Sequence, residues 1–166
     1  MSMFCYQCQE TAMNKGCTVK GVCGKDEEVA KLQDLLIYAV KGISDLVVKG
    51  KVETSSIPEA NHEVLRSLFM TITNANFDAE AIKKQISKMI SLREDLKAKA
   101  GASGLHDAAV FEADTMDAML VKAASVGVLA TENEDVRSLR EMIIYGLKGM
   151  SAYAEHALNL GRKTCR

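Results

Sequence analysis

The chain has 166 residues, of which 48% are hydrophobic and 26% are charged, and its formal net charge is -1. This length can bury a hydrophobic core without a metal staple, and the balanced charge argues against a nucleic-acid-coating protein. The first residues lack the basic start and apolar run of a secretory signal, and no stretch approaches the roughly 18 apolar residues of a membrane span. We therefore expect a cytoplasmic protein whose partners are neither nucleic acid nor membrane.

The first predicted segment, residues 1–25, holds four of the five cysteines with the spacing C-x2-C-x8-C-x5-C. In a reducing compartment, clustered cysteines are more often metal ligands or redox groups than disulfides. Four thiolates suit a structural zinc ion or an iron-sulfur cluster. Three lysines against one glutamate favour an anionic cluster, and the five-residue gap is wider than zinc sites usually have. We expect an iron-sulfur site, with a zinc site, inert cysteines or disulfides as alternatives.

The rest of the sequence predicts helices throughout, because it has a single proline and many Ala, Leu, Met, Lys and Glu residues. Asp26 is a suitable cap for the first helix, and Gly50 is a suitable end. Ser56 would open a second helix in a capping box, with its end near Asn74. In both helices apolar residues recur every three or four positions, which indicates one buried face each.

A third helix, capped by Asn76 or Asp78, would run to about Lys99 and complete a first bundle over residues 26–100. The Gly-Ala-Ser-Gly run that follows breaks the helical pattern. We therefore expect a linker at residues 101–111.

A second bundle is predicted over residues 112–166. A short helix would span Glu112 to Val126, and Thr131 would open a long last helix in another capping box. The fold class predicted from these patterns is all-α: a cysteine-rich loop followed by two small helical bundles.

The first and last helices contain an internal repeat. Residues 27–44 read EEVAKLQDLLIYAVKGIS and residues 134–151 read EDVRSLREMIIYGLKGMS, with eight of eighteen positions identical. Both copies contain the pattern Ile-Tyr-x-x-Lys-Gly-x-Ser at the same positions. Two unrelated amphipathic helices would share apolar spacing but would not need these identical residues. We interpret the repeat as duplication of a helical unit.

The stretch FCYQCQETAMNKGCTVKGVCGK, residues 4–25, resembles the amino-terminal signature of the hybrid cluster proteins, also called prismane proteins or hydroxylamine reductases. Residues 32–44, 72–78 and 127–157 resemble further landmarks of that family, in the expected order. The resemblance implies a helical first domain of two small bundles and a 4Fe-4S cluster. The cluster ligands that it implies are Cys5, Cys8, Cys17 and Cys23.

The same resemblance limits what this chain is expected to do. Family members are more than three times longer, and their further domains hold the hybrid cluster, so we expect neither that cluster nor a catalytic residue here. Whether the chain is an enzyme stays uncertain. The expected role is electron transfer from an external donor to the C-terminal domains of the parent enzyme. The alternatives are a stand-alone helical 4Fe-4S carrier or redox sensor, and a zinc-stapled structural domain.

In the family the second bundle continues past the region that matches Leu160, so we expect this second bundle to be partial. An uncovered apolar stripe from Val136 to Leu160 usually finds a partner, which predicts self-association through the last helix. We also expect aerobic preparation to remove the cluster and leave the helices intact. Cys165 lies outside the motif and is interpreted as an incidental thiol.

Overall fold

The computed structural model describes residues 2–161, and in this range the fold is all-α, as the sequence predicts. Short 3-10 turns connect the helices, and none of the helices in this range has the length and hydropathy of a membrane span. Cys165 and the rest of the segment after residue 161 lie outside the described residues. The five α-helices are α1 (Glu27–Lys49), α2 (Pro58–Met70), α3 (Ala79–Ala100), α4 (Met116–Val126) and α5 (Glu134–Asn159).

Helix α1 is the centre of the hydrophobic core. Its cap is the predicted one, since the Asp26 carboxylate accepts a hydrogen bond from the Val29 N-H at 2.8 Å, and Gly50 follows its last residue. Helices α3 and α4 pack against α1, and α2 contacts both α1 and α3. At Gly42 the backbone of another segment comes so close that a Cβ atom would lie 2.0 Å from the Ala108 carbonyl oxygen. Residues 107–109 can therefore pack against α1 only because position 42 has no side chain.

Two predicted capping boxes are wrong. Before α2, the Ser56 hydroxyl donates to the Glu53 carbonyl at 2.7 Å, so it does not cap the helix, and Ile57 occupies the cap position without a side-chain bond. Before α5, the cap is Asn133, whose amide oxygen accepts from the Val136 N-H at 3.0 Å. Both errors have one cause. Several polar residues precede each helix, and the sequence pattern alone does not show which side chain, if any, accepts a hydrogen bond from the first backbone N-H groups.

Two helix boundaries also differ from the expectation. Helix α2 ends at Met70 rather than near Asn74. Helix α4 begins at Met116 with a Thr115 cap, four residues later than predicted, because the preceding residues enter the core in an irregular conformation. There, the buried Arg93 guanidinium donates to the carbonyls of Ala108 and Phe111, which holds this non-helical segment against α3.

Helix α5 packs against α2 through polar residues. Its buried residues are Lys148, Ser151 and Glu155, and Glu155 lies 3.2 Å from the His62 ring. The apolar stripe predicted for this helix lies on its outer side, with Leu139 58% exposed and Met150 69% exposed. The stripe therefore has no partner among the described residues.

The division of the chain into segments 1–25, 26–100, 101–111 and 112–166 stays a prediction. Within the described residues, α4 packs on α1, whereas α5 packs on α2. The segment expected as a linker contributes Ala109 and Phe111 to the same core cluster as α1.

Candidate metal centre at the cysteine segment

The cysteine segment folds back on itself at the start of α1. The Cys5 N-H donates to the Cys17 carbonyl at 3.1 Å, and the Cys17 N-H donates to the Cys5 carbonyl at 2.8 Å, which makes one isolated antiparallel bridge. Just before it, the Met3 N-H donates to the Thr18 carbonyl at 3.3 Å. Met3 and Cys17 pack against Ala30 of α1. These contacts bring Cys5 and Cys17 together at the helix.

Glycines allow the segment to fold this tightly. A Cβ atom on Gly16 would lie 2.5 Å from the Phe4 ring, and one on Gly21 would lie 3.1 Å from the Cys23 sulfur. The Cys8 carbonyl accepts from both the backbone N-H and the hydroxyl of Thr11, which closes the turn after the second cysteine. The chain between the cysteines is therefore compact, as a short ligand-bearing loop must be.

All four cysteines of the motif are free thiols in the structure. Cys17 is buried, Cys5 and Cys8 are half-buried, and Cys23 is exposed. Within residues 2–161, no three Cys, His, Asp or Glu side chains are close enough together to hold a metal ion. The structure therefore pairs Cys5 with Cys17 but does not bring Cys8 and Cys23 into a common ligand set with them.

The chemistry of the donor set nevertheless fits an iron-sulfur cluster. Four thiols on one short segment are the ligands that a 4Fe-4S cluster takes, and no disulfide among them prevents their use. The assignment of all four as ligands stays a prediction.

A buried lysine lies beside Cys5. Lys25 is only 2% exposed, and its ammonium lies 4.0 Å from the Cys5 sulfur and donates to the Gln33 amide oxygen at 2.6 Å. The Gln33 amide nitrogen in turn donates to the Asn76 carbonyl at 3.0 Å. Gln33 therefore holds the ammonium close to the sulfur and links it to the loop after α2.

A second buried lysine, Lys148 of α5, is also 2% exposed and donates to the Thr71 carbonyl at 3.2 Å. Burial lowers the pKa of Lys148 to about 8, with Asp34, Glu141 and the Cys5 thiol acting in the opposite direction. Among the described residues, neither Lys25 nor Lys148 has a carboxylate within ion-pair distance. Two buried cations thus face the cysteine segment without a direct counterion.

The sequence does not predict the burial of Lys148 beside the cysteine segment, because Lys148 lies far along the chain from the cysteines. One signal was present: Lys148 occupies the position in the second repeat copy that Lys41 occupies in the first. A charged residue retained in both copies of an otherwise apolar pattern indicates a shared environment. For Lys25, one of the three lysines of the cysteine segment, the sequence predicts only a contribution to the local positive charge.

A cavity of about 590 Å³ lies between α1, the end of α4 and α5, and it reaches the cysteine segment at Gln7. Burial raises the pKa of Asp34 in its wall to about 7. A smaller cavity of about 250 Å³ lies between Tyr6, Gln7 and α5. The Tyr6 hydroxyl and the Gln7 amide oxygen are buried without a hydrogen-bond partner in the described residues. The region beside the cysteines is thus polar, cationic and loosely packed.

The chain is similar to known proteins over nearly its whole length. The family model described as "Prismane/CO dehydrogenase family" matches residues 3–165. A hydroxylamine reductase of Acetivibrio thermocellus is 66% identical over 163 residues, which cover 98% of this chain and 30% of that protein.

Two further hydroxylamine reductases resemble the chain over similar lengths. That of Clostridium perfringens is 52% identical over 97% of this chain, and that of Parabacteroides distasonis is 52% identical over 96% of it. The chain spans about 30% of the length of these relatives. The family match covers nearly the whole sequence, and the chain therefore belongs to the Prismane/CO dehydrogenase family.

Proposed function

We propose that this chain is the iron-sulfur electron-transfer part of a hydroxylamine reductase. In this proposal a 4Fe-4S cluster is held by the four cysteines of the motif. An external donor would supply single electrons to this chain, and the chain would pass them to the C-terminal domains of the parent enzyme. Those domains would hold the hybrid cluster and the catalytic residues. The cluster ligands are Cys5, Cys8, Cys17 and Cys23.

The observation that carries the proposal is the pair of buried lysines beside Cys5. Burial of an ammonium without an opposite charge is unfavourable, and it becomes tolerable when an anion is bound nearby. Lys25 and Lys148 are each 2% exposed and have no carboxylate within ion-pair distance in the described part of the chain. Thiolates carrying an anionic cluster would supply the missing negative charge. A four-thiolate zinc site and an oxidised 4Fe-4S site carry the same net charge, so the two lysines favour an anionic metal site and metal analysis decides between the two metals.

The residues of this chain would perform two tasks. The Cys5–Cys17 bridge positions two thiolates at the start of α1. Lys25, held by Gln33, donates toward the Cys5 sulfur and favours the more negative state of the site. When bound, the cluster supplies one-electron redox chemistry.

Two alternatives belong to other classes of protein. A stand-alone helical 4Fe-4S carrier or redox sensor would have the same cysteine site but no further domains. A reading frame that continues past Arg166 into cysteine-rich α/β sequence favours the parent-enzyme proposal over this one. A zinc-stapled structural domain would bind zinc and undergo no redox change.

Metal analysis of anaerobically purified chain tests the proposal. We expect about four iron and four acid-labile sulfide per chain, with a visible absorption band that dithionite bleaches. Cys5→Ser should lose most of the iron, whereas Cys165→Ser, outside the motif, should retain it. Stoichiometric zinc without iron, or equal iron in the two variants, contradicts the proposal. We place the protein in the cytoplasm, where free thiols persist.

The exposed face of α5 is the proposed contact surface for partners. Its apolar residues would face the other domains of the parent enzyme, or a second copy of this chain when the chain is alone. Large exposed apolar patches usually mark such contacts.

A further inference from the structure

The large cavity is built from matching residues of the two repeat copies. Asp34 and Lys41 of α1 line it together with Glu141 and Lys148 of α5, and each α5 residue stands at the repeat position of its α1 counterpart. The repeat thus places a carboxylate and a lysine from each copy around one cavity.

These four charged side chains form no direct ion pair within the described residues, although ion pairs are common elsewhere on the surface. Asp34 lies in the wall with its carboxylate next to Gly127, where a Cβ atom would come within 2.8 Å of the Asp34 Oδ2. An unpaired carboxylate in such a wall is easily protonated, because burial penalises its charged form. Water in the cavity can reach this carboxylate, and the cavity extends along α1 as far as Lys49.

The cavity is electrostatically connected to the cysteine segment. Gln7 lines it and lies between Cys5 and Cys8 in the sequence. Lys25, which is 4.0 Å from the Cys5 sulfur, also acts on Asp34. Lys148 faces both Asp34 and Cys5. A negative charge added at the cysteines would therefore be felt at Asp34.

We propose that Asp34 takes up a proton from the cavity water when the cysteine site accepts an electron. The inference rests on the proposed function. One electron from the external donor enters the site, one proton from solvent converts the Asp34 carboxylate to the neutral acid, and both leave on reoxidation. Net charge near the site then stays constant, which favours transfer of the electron in a poorly solvated region.

The charged groups that face Asp34 determine the pH at which its carboxylate takes up or releases the proton. Glu141 raises the pKa of Asp34, whereas Lys148, Lys25 and Lys41 lower it, and burial, the largest cause, brings it to about 7. Proton exchange at Asp34 is therefore expected near neutral pH. Removal of the Glu141 charge should lower the pH at which this exchange occurs.

Redox titration of the anaerobically assembled chain tests the inference, after iron and sulfide have been measured. We expect the midpoint potential to fall as pH rises above about 7, because the reduced site binds the proton more tightly. Asp34→Asn, an isosteric change, should remove this fall. The fall should begin at lower pH in Glu141→Gln. Asp45→Asn is the matched control, since Asp45 lies at the far end of the cavity and pairs with Lys49 at 3.0 Å.

Two outcomes are distinguishable. Full iron and sulfide content with a potential that does not change with pH, or that changes equally in Asp34→Asn, overturns the inference and leaves the proposed function intact. Absence of iron overturns both. A cluster-free measurement adds a check: the Asp34 carboxyl carbon should titrate near pH 7 in a carbon-13 NMR experiment, and titration near pH 4 also overturns the inference.

Discussion

At the scale of single residues, the buried charges are the unusual feature of this protein. Arg93 is fully buried, but it donates to two carbonyls and contacts the Glu94 carboxylate at 2.8 Å, so its charge is well satisfied. Lys148 has one carbonyl and no carboxylate at ion-pair distance in the described chain. Arg93 therefore serves the fold, whereas the position of Lys148 is better explained by the negative charge that we propose for the cysteine site.

Replacement of Lys148 by Met should stabilise the cluster-free chain near pH 7. The folded-state pKa of about 8 lies below the ordinary value of 10.5, so the unfolded chain binds the proton more tightly. The charged lysine therefore destabilises the folded state below pH 8, and this effect disappears as pH rises from 8 to 10.5. We expect a gain of about 2 kcal/mol at pH 7, allowing for loss of the bond to Thr71.

Urea denaturation from pH 7 to pH 9.5 measures this effect. The stability difference between Lys148→Met and the wild type should shrink as pH rises. Lys97→Met, which changes an exposed lysine that pairs with Glu94, should follow the wild-type profile. Parallel profiles for Lys148→Met and the wild type would show that the buried lysine does not titrate as proposed.

The candidate site was only partly predictable from single residues. The cysteine spacing and the adjacent glycines identify the segment, because those residue types carry the metal chemistry directly. Lys148 and Asp34 were not predictable as part of it, because helices far apart in sequence bring them to the cavity. A helical pattern states which face a residue occupies but not what lies opposite that face.

At the scale of helices, the two repeat copies have the same pattern and opposite burial. Leu32 and Leu35 of α1 are fully buried, whereas the matching Leu139 and Met142 of α5 are 58% and 65% exposed. In α1 this face is covered by α3, α4 and the segment between them. Helix α5 has a face of the same type without such a cover in the described residues. The spacing of apolar residues therefore predicts both helices correctly, but it does not predict which of the two is buried in the core.

The matching glycines of the two copies give a direct test of this difference. Gly42→Ala should destabilise the chain by about 2 kcal/mol or more, because the new methyl group would overlap the Ala108 carbonyl and move backbone. Gly149→Ala, at the equivalent position of α5, meets nothing within 4 Å. It should stabilise the chain by about 0.5–1 kcal/mol, since alanine favours a helix over glycine.

Urea denaturation of the two variants at one pH is sufficient, because the substitutions are chemically identical and differ only in surroundings. Equal effects of the two changes would contradict the packing described for α1. Circular dichroism should show that both variants keep their helical content.

At the scale of the whole molecule, α5 is attached by its polar side and exposes its apolar side. Exposed apolar residues lie along most of the length of α5, and the most exposed of them is Tyr153, at 83%. The sequence predicted the stripe and its exposure through the resemblance, whereas the burial of Lys148 and Glu155 against α2 was not predicted. Polar residues at helical spacing usually indicate a solvent face, and the partners that allow their burial here are His62 of α2 and the Thr71 carbonyl just after α2.

Self-association of the isolated chain follows from this exposure. Light scattering at high concentration should detect dimers or larger species of the wild type. Met142→Glu, in the middle of the stripe, should give a monomer. Val121→Glu is the matched control, because Val121 is 75% exposed on α4 and lies outside the stripe. A wild-type chain that stays strictly monomeric at high concentration contradicts the prediction.

The outward apolar face of α5 also determines how the chain responds to its solvent. Attraction between apolar surfaces weakens on cooling and strengthens in sulfate or phosphate, whereas attraction between charged surfaces is screened by added salt. Copies of this chain should therefore separate in the cold at low salt and associate in warm sulfate solutions. Handling conditions alone would then decide whether the α5 surface is open to water or covered.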